Sequence, residues 1–378
     1  MSSYKKKIGI ACGCRKLNYG SVLQSYALCN VINNLGYDCN FVWINGSFLK
    51  HYNIRFEKVA GVIFNSIKHP TLIPKVIRSF NRVFLNKTHY SISSDSKTKF
   101  EAFTQKMDIR VYNRKELAKK QFEYYKFVCG SDQIWNSYEY YLDPMYFLRF
   151  TERNKRIAYA PSFGTNTVSY YNRNTIKKYL RGFKRISVRE SSGQHICREL
   201  VNRNVPVVLD PTLLMDNEQW INNLELKKDT QEYCFVYFLN KPCPSAVKAI
   251  DRMRENMRIV ALPIKYEEFK DNEVVDAGPK EFLNYLYNAK YVLTDSFHGT
   301  IFSINFNKQF LTFDRQYASQ TTQSSRITDI LERLGLKDRF ITRDMDEIFH
   351  NTINYEIVNS KLNLLRKKSL NYLKKALD

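Results

Sequence analysis

What is missing from this chain narrows its function before any motif is read. No stretch approaches the ~18–20 uninterrupted apolar residues of a membrane span. The start, MSSYKKKIGIACGCRK, is basic, but its apolar run lasts only a few residues before it turns polar. It reads as a first strand rather than a signal peptide, so a cytoplasmic protein is expected. No three-glycine fingerprint follows that strand, which argues against a nicotinamide dinucleotide. The six histidines form no cluster with the eight cysteines, and Cys12-Gly-Cys14 has no partner pair at metal-ligand spacing. Reduced core thiols are expected, with zinc or a disulfide framework a minor alternative. No metal and no cofactor are expected. Dense lysine-arginine tracts and RNA-binding fingerprints are absent too, so nucleic acid is not the expected partner.

Acidic residues are scarce relative to basic ones, 37 against 59, which leaves a net charge of +22. That excess suits an anionic partner, either a phosphorylated substrate or a membrane surface. At 378 residues the chain has room for two domains, each with its own core. Its 44% apolar and 25% charged content is ordinary for a globular protein.

Short apolar runs, each followed by a polar turn and a helical pattern, recur along the chain. Residues 7–12 (KIGIAC) read as a strand, residues 22–35 as a helix stopped by Gly36, and residues 39–44 (CNFVWI) as the next strand. This is a βαβ opening with a ligand-sized loop at its switch. Further strands are expected at 125–129, 157–163, 185–189, 234–239, 258–263 and 310–313, with helices at 175–185, 280–289 and 326–334. Two segments differ. Residues 50–94 carry Lys50, Arg55, Lys58, Lys68, Lys75, Arg78, Arg82 and Lys87 among Phe, Ile and Val. They read equally as a membrane-facing helical insertion and as an amphipathic helix covering the sheet. The tail, residues 361–378, sets Leu362, Leu365, Leu370, Leu373 and Leu377 along one side and basic residues around the rest. Docking on the first domain is favoured there over membrane contact.

The working centre is expected at residues 291–310, YVLTDSFHGTIFSINFNKQF. Tyr291-Val292-Leu293 reads as a strand, Thr294-Asp295-Ser296 as a capping turn, and residues 300–306 as a helix, with His298 and Gly299 at the junction. A helix start offers unpaired N–H groups and the positive end of its dipole to an anion. A histidine there can move a proton. A capped turn with a surface histidine is the plainer reading. In residues 130–136 (GSDQIWN), Asp132, Gln133 and Trp135 are sugar-binding residue types.

Taken together, these motifs resemble the polysaccharide pyruvyl transferase family. They are Asn18-Tyr19-Gly20-Ser21-Val22-Leu23-Gln24, Gly130-Ser131-Asp132-Gln133-Ile134-Trp135-Asn136 and Ala158-Tyr159-Ala160-Pro161-Ser162-Phe163-Gly164. Ser187-Val188-Arg189-Glu190, Asp210-Pro211-Thr212-Leu213-Leu214, Asp276-Ala277-Gly278-Pro279 and Thr294-Asp295-Ser296-Phe297-His298-Gly299-Thr300 follow in order. The resemblance covers roughly residues 7–340.

It implies an α/β fold of two Rossmann-like, doubly wound domains facing a cleft, a GT-B-like glycosyltransferase architecture. The expected division is 1–190, the acceptor side with the basic insertion near 50–95; 191–348, the donor side; and the tail 349–378. The resemblance also implies phosphoenolpyruvate as donor and a lipid-linked or polysaccharide sugar as acceptor, with a cyclic pyruvate ketal as product. His298 is then the acid/base and Arg189 the cation pairing the donor's carboxylate or phosphate. Ser296 with the N–H groups of Gly299 and Thr300 would take the phosphate, helped by Arg315 or Arg326, between which the sequence does not choose. Asn18, Asp132 and Gln133, with Gly20, Ser21 and Trp135 in the same loops, would meet the acceptor. Each also has a plainer reading: Arg189 in an ordinary salt bridge with Glu190, Asp132 as a helix cap. A nucleotide-sugar glycosyltransferase of the same architecture is the competing enzyme, and a non-catalytic basic protein binding anionic membrane or nucleic acid is the competing non-enzyme. At most, peripheral contact with the inner face of the cell membrane is expected.

Overall fold

A computed structural model describes residues 5–44, 54–84, 92–262, 273–315, 324–341 and 351–378. Lys50 and Lys87 of the basic stretch and the end of the expected strand at Pro263 lie outside them, as does the expected domain limit at 348.

Apolar runs too short for helices become parallel strands buried on both faces. The first sheet comprises β1 (Lys7–Ala11), β2 (Asp38–Ile44), β3 (Ile109–Tyr112), β4 (Lys126–Cys129), β5 (Arg156–Ala158) and β6 (Arg185–Ile186), in the order β3-β2-β1-β4-β5-β6. The second comprises β7 (Tyr233–Tyr237), β8 (Arg258–Ala261), β9 (Glu273–Val274), β10 (Tyr291–Thr294), β11 (Gln309–Phe313) and β12 (Phe340–Ile341), in the order β12-β11-β10-β7-β8-β9. Counted from its own first strand, each sheet runs 3-2-1-4-5-6. The expected pair of doubly wound, Rossmann-like domains is therefore present. In such sheets ligands lie beyond the carboxyl ends of the strands where the order reverses. Those points are β1/β4 in the first sheet and β7/β10 in the second.

Several expected elements shift. The strand expected over 157–163 ends at Ala158, because Ala160 adopts φ 53°, a left-handed conformation that no strand accommodates. The strand expected over 185–189 keeps two residues in the sheet, and Val188 pairs instead with Val207. Both site helices begin three residues earlier than expected. Asn18 accepts from Ser21 N at 3.0 Å and starts the helix Tyr19–Asn34. Ser296 caps Phe297–Asn305, so His298 sits in the first helical turn.

The two halves share one apolar core. Tyr19 reaches from the first into the second, stacking on Phe282 with centroids 4.6 Å apart and donating to the Ala277 carbonyl at 2.9 Å. Six of the eight cysteines are buried within the cores, and Cys29 and Cys243 are half-buried. The terminal helix Tyr355–Leu377, expected to dock on the first domain, touches both. Lys361 donates to Leu334 O and Arg366 to Asn305 Oδ1 in the second half. Farther along, Tyr372 donates to Ala158 O, and Tyr125 donates to Asp378 O. Among the described residues, no helix is long and apolar enough to cross a membrane.

In the helices Ile54–Lys68 and Ile73–Phe84, the apolar residues Ile63, Phe64, Ile67 and Ile77 are exposed.

Leu373 is fully buried in the strap that joins the halves. Leu373→Ala should lower unfolding stability by about 2–5 kcal/mol in urea titrations, through lost transfer energy and the cavity left behind.

Candidate active site

Where the two switch points meet, the halves enclose a cavity of about 260 Å³. Lys16, Asn18, Ser21, Asp132, Gln133, Asn136 and Glu139 line it from the first half. Leu239, Ser296, Phe297, His298, Arg315 and Arg326 line it from the second. The structure thus brings together eight of the residues singled out in the sequence and adds Lys16, Asn136, Glu139, Leu239 and Phe297.

The first-half wall hangs from β4. Gly130 has φ 117°, and a Cβ there would come within 2.0 Å of the Tyr159 carbonyl oxygen, so only glycine lets the chain turn at that point. Gln24, from the helix after β1, accepts from Ser131 N at 2.9 Å and holds the turn in place. Asp132 follows at φ 70° with its carboxylate accepting from the Ser21 hydroxyl at 2.5 Å. Burial alone would raise its pKa, but Arg189, His298, Lys16 and the Ser21 hydrogen bond hold it well below the usual carboxylate range.

Behind this wall lies a charged cluster. Arg189 donates to Asp210 Oδ2 at 2.8 Å, with Glu190 at 3.7 Å and Asp132 at 3.9 Å. Its guanidinium also lies 4.4 Å from the centroid of the Phe297 ring. Desolvation works against the charge, yet Asp210, Glu190 and Asp132 keep it firmly protonated. Asp210 does more than pair. It accepts from Ser131 Oγ at 3.1 Å, caps Pro211–Leu214 through Thr212 N and Oγ1, and faces His298 Nε2 at 3.9 Å.

His298 is packed by close approach. Any side chain at Gly20 would come within 1.9 Å of His298 Nδ1, so the backbone of one half rests against the ring from the other. Burial lowers the His298 pKa from its ordinary 6.5 to about 4, against the pull of Asp210 and Asp132 and assisted by Arg189 and Arg326. The ring is therefore neutral at pH 7. Among the described residues, its buried Nε2 has no hydrogen-bond partner.

Four expectations are corrected. Arg189 does not line the cavity: its side chain is 2% exposed and committed to Asp210. Trp135 does not present its face to a sugar. It is fully buried, stacked on Phe147 at 5.3 Å, and its Nε1 donates to Tyr146 O. The N–H groups of Gly299 and Thr300 do not await a phosphate, since Ser296 Oγ takes the first at 3.3 Å and Ser296 O the second at 2.9 Å. Gly20 acts as a spacer for His298 rather than as a ligand contact. The first-turn amides of Phe297 and His298 precede any intrahelical bond and remain the helix's offer to an anion. Arg315 and Arg326 both line the cavity. Arg315 lies 3.3 Å from the Asp295 carboxylate, which also accepts from Leu239 N and Asn240 N, and Arg326 lies 5.5 Å from the Phe297 ring.

Asp210 stands in one of the motifs named above, but no role was assigned to it there. Its signal was the Asp-Pro pair that starts a helix, which reads locally as a cap and nothing more.

Two outcomes follow from these charges. Arg189→Ala would strand Asp210 and Asp132 as buried carboxylates and should cost about 3–5 kcal/mol of unfolding stability in urea. The depressed His298 pKa means the unfolded chain binds more protons between pH 6.5 and about 4. Stability from this group is therefore whole above pH 6.5 and is lost progressively as pH falls to 4. His298→Asn should flatten that part of a stability-versus-pH curve.

The model of the polysaccharide pyruvyl transferase family matches residues 18–317. No curated protein matches the chain. Among solved structures it is similar to UDP-N-acetylglucosamine 2-epimerase from Rickettsia bellii, at 12% identity and TM-score 0.45, covering 100% of this chain and 98% of that one. It is also similar to the Methanocaldococcus jannaschii UDP-GlcNAc 2-epimerase in complex with UDP-GlcNAc and UDP, at 12% identity and TM-score 0.43, covering 96% and 92%. The E. coli heptosyltransferase WaaC with ADP follows at 11% identity and TM-score 0.38, covering 97% and 99%. The matched span contains every lining residue named above except Lys16 and Arg326, and the chain belongs to the polysaccharide pyruvyl transferase family.

Proposed function

We propose that the cavity transfers pyruvate from phosphoenolpyruvate to a sugar of a cell-surface polysaccharide or its lipid-linked precursor. The product is a cyclic ketal, and phosphate is released. What carries this reading is the asymmetry of the two walls. One offers Asn18, Ser21, Asp132, Gln133, Asn136 and Glu139, which suit sugar hydroxyls; the other offers His298, Arg315 and Arg326 around a helix start, which suit a compact polyanion.

The donor phosphate would lie at the Phe297 and His298 amides with Arg315 and Arg326 beside it, and Lys16 would close over it from the facing half. Its negative charge would raise the His298 pKa, so donor binding charges the imidazole. The imidazolium then gives its proton to the methylene carbon, and positive charge builds on the neighbouring carbon. One sugar hydroxyl adds there, and its proton restores the imidazolium. Loss of phosphate and addition of the second hydroxyl close the ketal, with the second proton leaving on the phosphate. Asp132, held as a carboxylate, would orient the hydroxyls by accepting hydrogen bonds rather than by taking protons.

The test is incubation with phosphoenolpyruvate and a panel of lipid-linked sugars, reading phosphate release together with a mass gain on the sugar. Proton uptake on donor binding at pH 7 is expected from calorimetry in two buffers of different ionisation heat. His298→Ala should abolish that uptake and cut turnover by about 10²–10⁴-fold while largely keeping donor binding. No phosphate release on any acceptor, combined with no heat of phosphoenolpyruvate binding, would sink the reading.

A further inference from the structure

The helices Ile54–Lys68 and Ile73–Phe84, joined through the turn Pro70–Leu72, touch the first half along one side. On that side a Cβ at Gly61 would come within 2.4 Å of the Tyr141 ring, and Asn65 Nδ2 donates to Tyr140 O at 2.9 Å. Thr71 Oγ1 shares a hydrogen bond with the Tyr170 hydroxyl at 2.6 Å. Among the described residues, the other side is apolar and exposed. Val59, Ile63, Phe64, Ile67, Ile73 and Ile77 are between 45% and 72% exposed. Val59, Ile63 and Ile67 recur every four residues, which places them along one stripe of the first helix.

Isolated exposed apolar residues are common on monomers, but six on two consecutive helices, three of them along one stripe, point to a binding surface. Its surroundings indicate what binds. Lys58, Lys68, Lys75 and Arg78 are exposed, and residues 58–78 contain no acidic residue. Tyr170, half-exposed and packed edge-on to His69 at 5.3 Å, stands at its margin. An apolar stripe rimmed by cations and tyrosine fits the boundary between anionic headgroups and acyl chains.

We infer that this helical pair is a docking surface for an anionic lipid bilayer. The apolar stripe enters the headgroup region, and the lysines and Arg78 hold the phosphates. Asn65 is tied to Tyr140, next to Glu139 of the cavity lining, so docking brings the first-half lip of the cavity to the bilayer plane. The surface stands independently of which group the cavity transfers, and its test uses no turnover.

The full-length protein should co-sediment with vesicles of mixed phosphatidylglycerol and phosphatidylcholine, less with phosphatidylcholine alone, and less again as salt is raised. The combined substitution Ile63→Glu, Ile67→Glu and Ile77→Glu should weaken that binding at least tenfold, on the order expected for removing an inserted apolar face. Lys68→Glu, Lys75→Glu and Arg78→Glu, made together, should weaken it by roughly fivefold or more per charge. All six positions are exposed, so thermal melts should stay unchanged and separate docking from misfolding. Absence of co-sedimentation with the anionic vesicles would overturn the inference, as would binding unaffected by both variants. So would loss of a dimer in the isoleucine variant with vesicle binding intact, which would make the face an interface between copies of this chain.

Discussion

The ion pair between Arg189 and Asp210 is the constraint on which the cavity depends. Asp210 uses one carboxylate oxygen to start a short helix and the other to hold Arg189 and the Ser131 hydroxyl, and it looks toward His298. Arg189 in turn faces Asp132 and lies over Phe297. One buried pair therefore fixes the loop after β4, the crossing between the halves and the first turn of the helix after β10. A pair this deeply buried is weak evidence of net stabilisation, because desolvation offsets much of its attraction. Its value is positional: the two walls keep one register because each contacts the same two charges.

The charge balance of the cavity follows from that arrangement. Arg189 holds Asp132 and Asp210 ionised, and the carboxylates hold Arg189 charged. His298 is left to burial, which wins over the nearby carboxylates and keeps the ring neutral. A neutral His298 thus lies beside three lining cations, Lys16, Arg315 and Arg326, and in the proposed reaction a bound anion would raise its pKa. On that proposal, binding and acid catalysis would be linked through one group.

Closure depends on contacts far from this chemistry. Tyr19 enters the second half's aromatic core, Gly20 lets the helix behind it approach His298, and the terminal helix spans both halves. On the outside, the helical pair leaves its apolar stripe to solvent while its other side supports residues 139–141 at the cavity lip. A docking surface and a binding cavity thus share one loop.

Local pattern was enough for much of the architecture. The apolar runs marked β1, β2, β4, β7, β8, β10 and β11, because burial is written in neighbouring residues, whereas both site helices were expected three residues later than their caps Asn18 and Ser296 start them. The strands β3, β9 and β12 left no such trace, being short, with β3 and β9 half-buried or exposed at the sheet edges. The motif loops were legible as the walls of a site. What each side chain does there was not. Trp135 has the chemistry of a sugar platform, but Phe147, Phe163 and Phe183 enclose it. Arg189 has the chemistry of a donor clamp, but Asp210 claims it. Sequence alone determined the strand-and-helix alternation, the polar loops and the cationic balance, since these depend on residue type and spacing. Only the tertiary structure decided which charges are spent inside the protein and which face the cavity, because that turns on partners brought together by strand order and by the meeting of two domains.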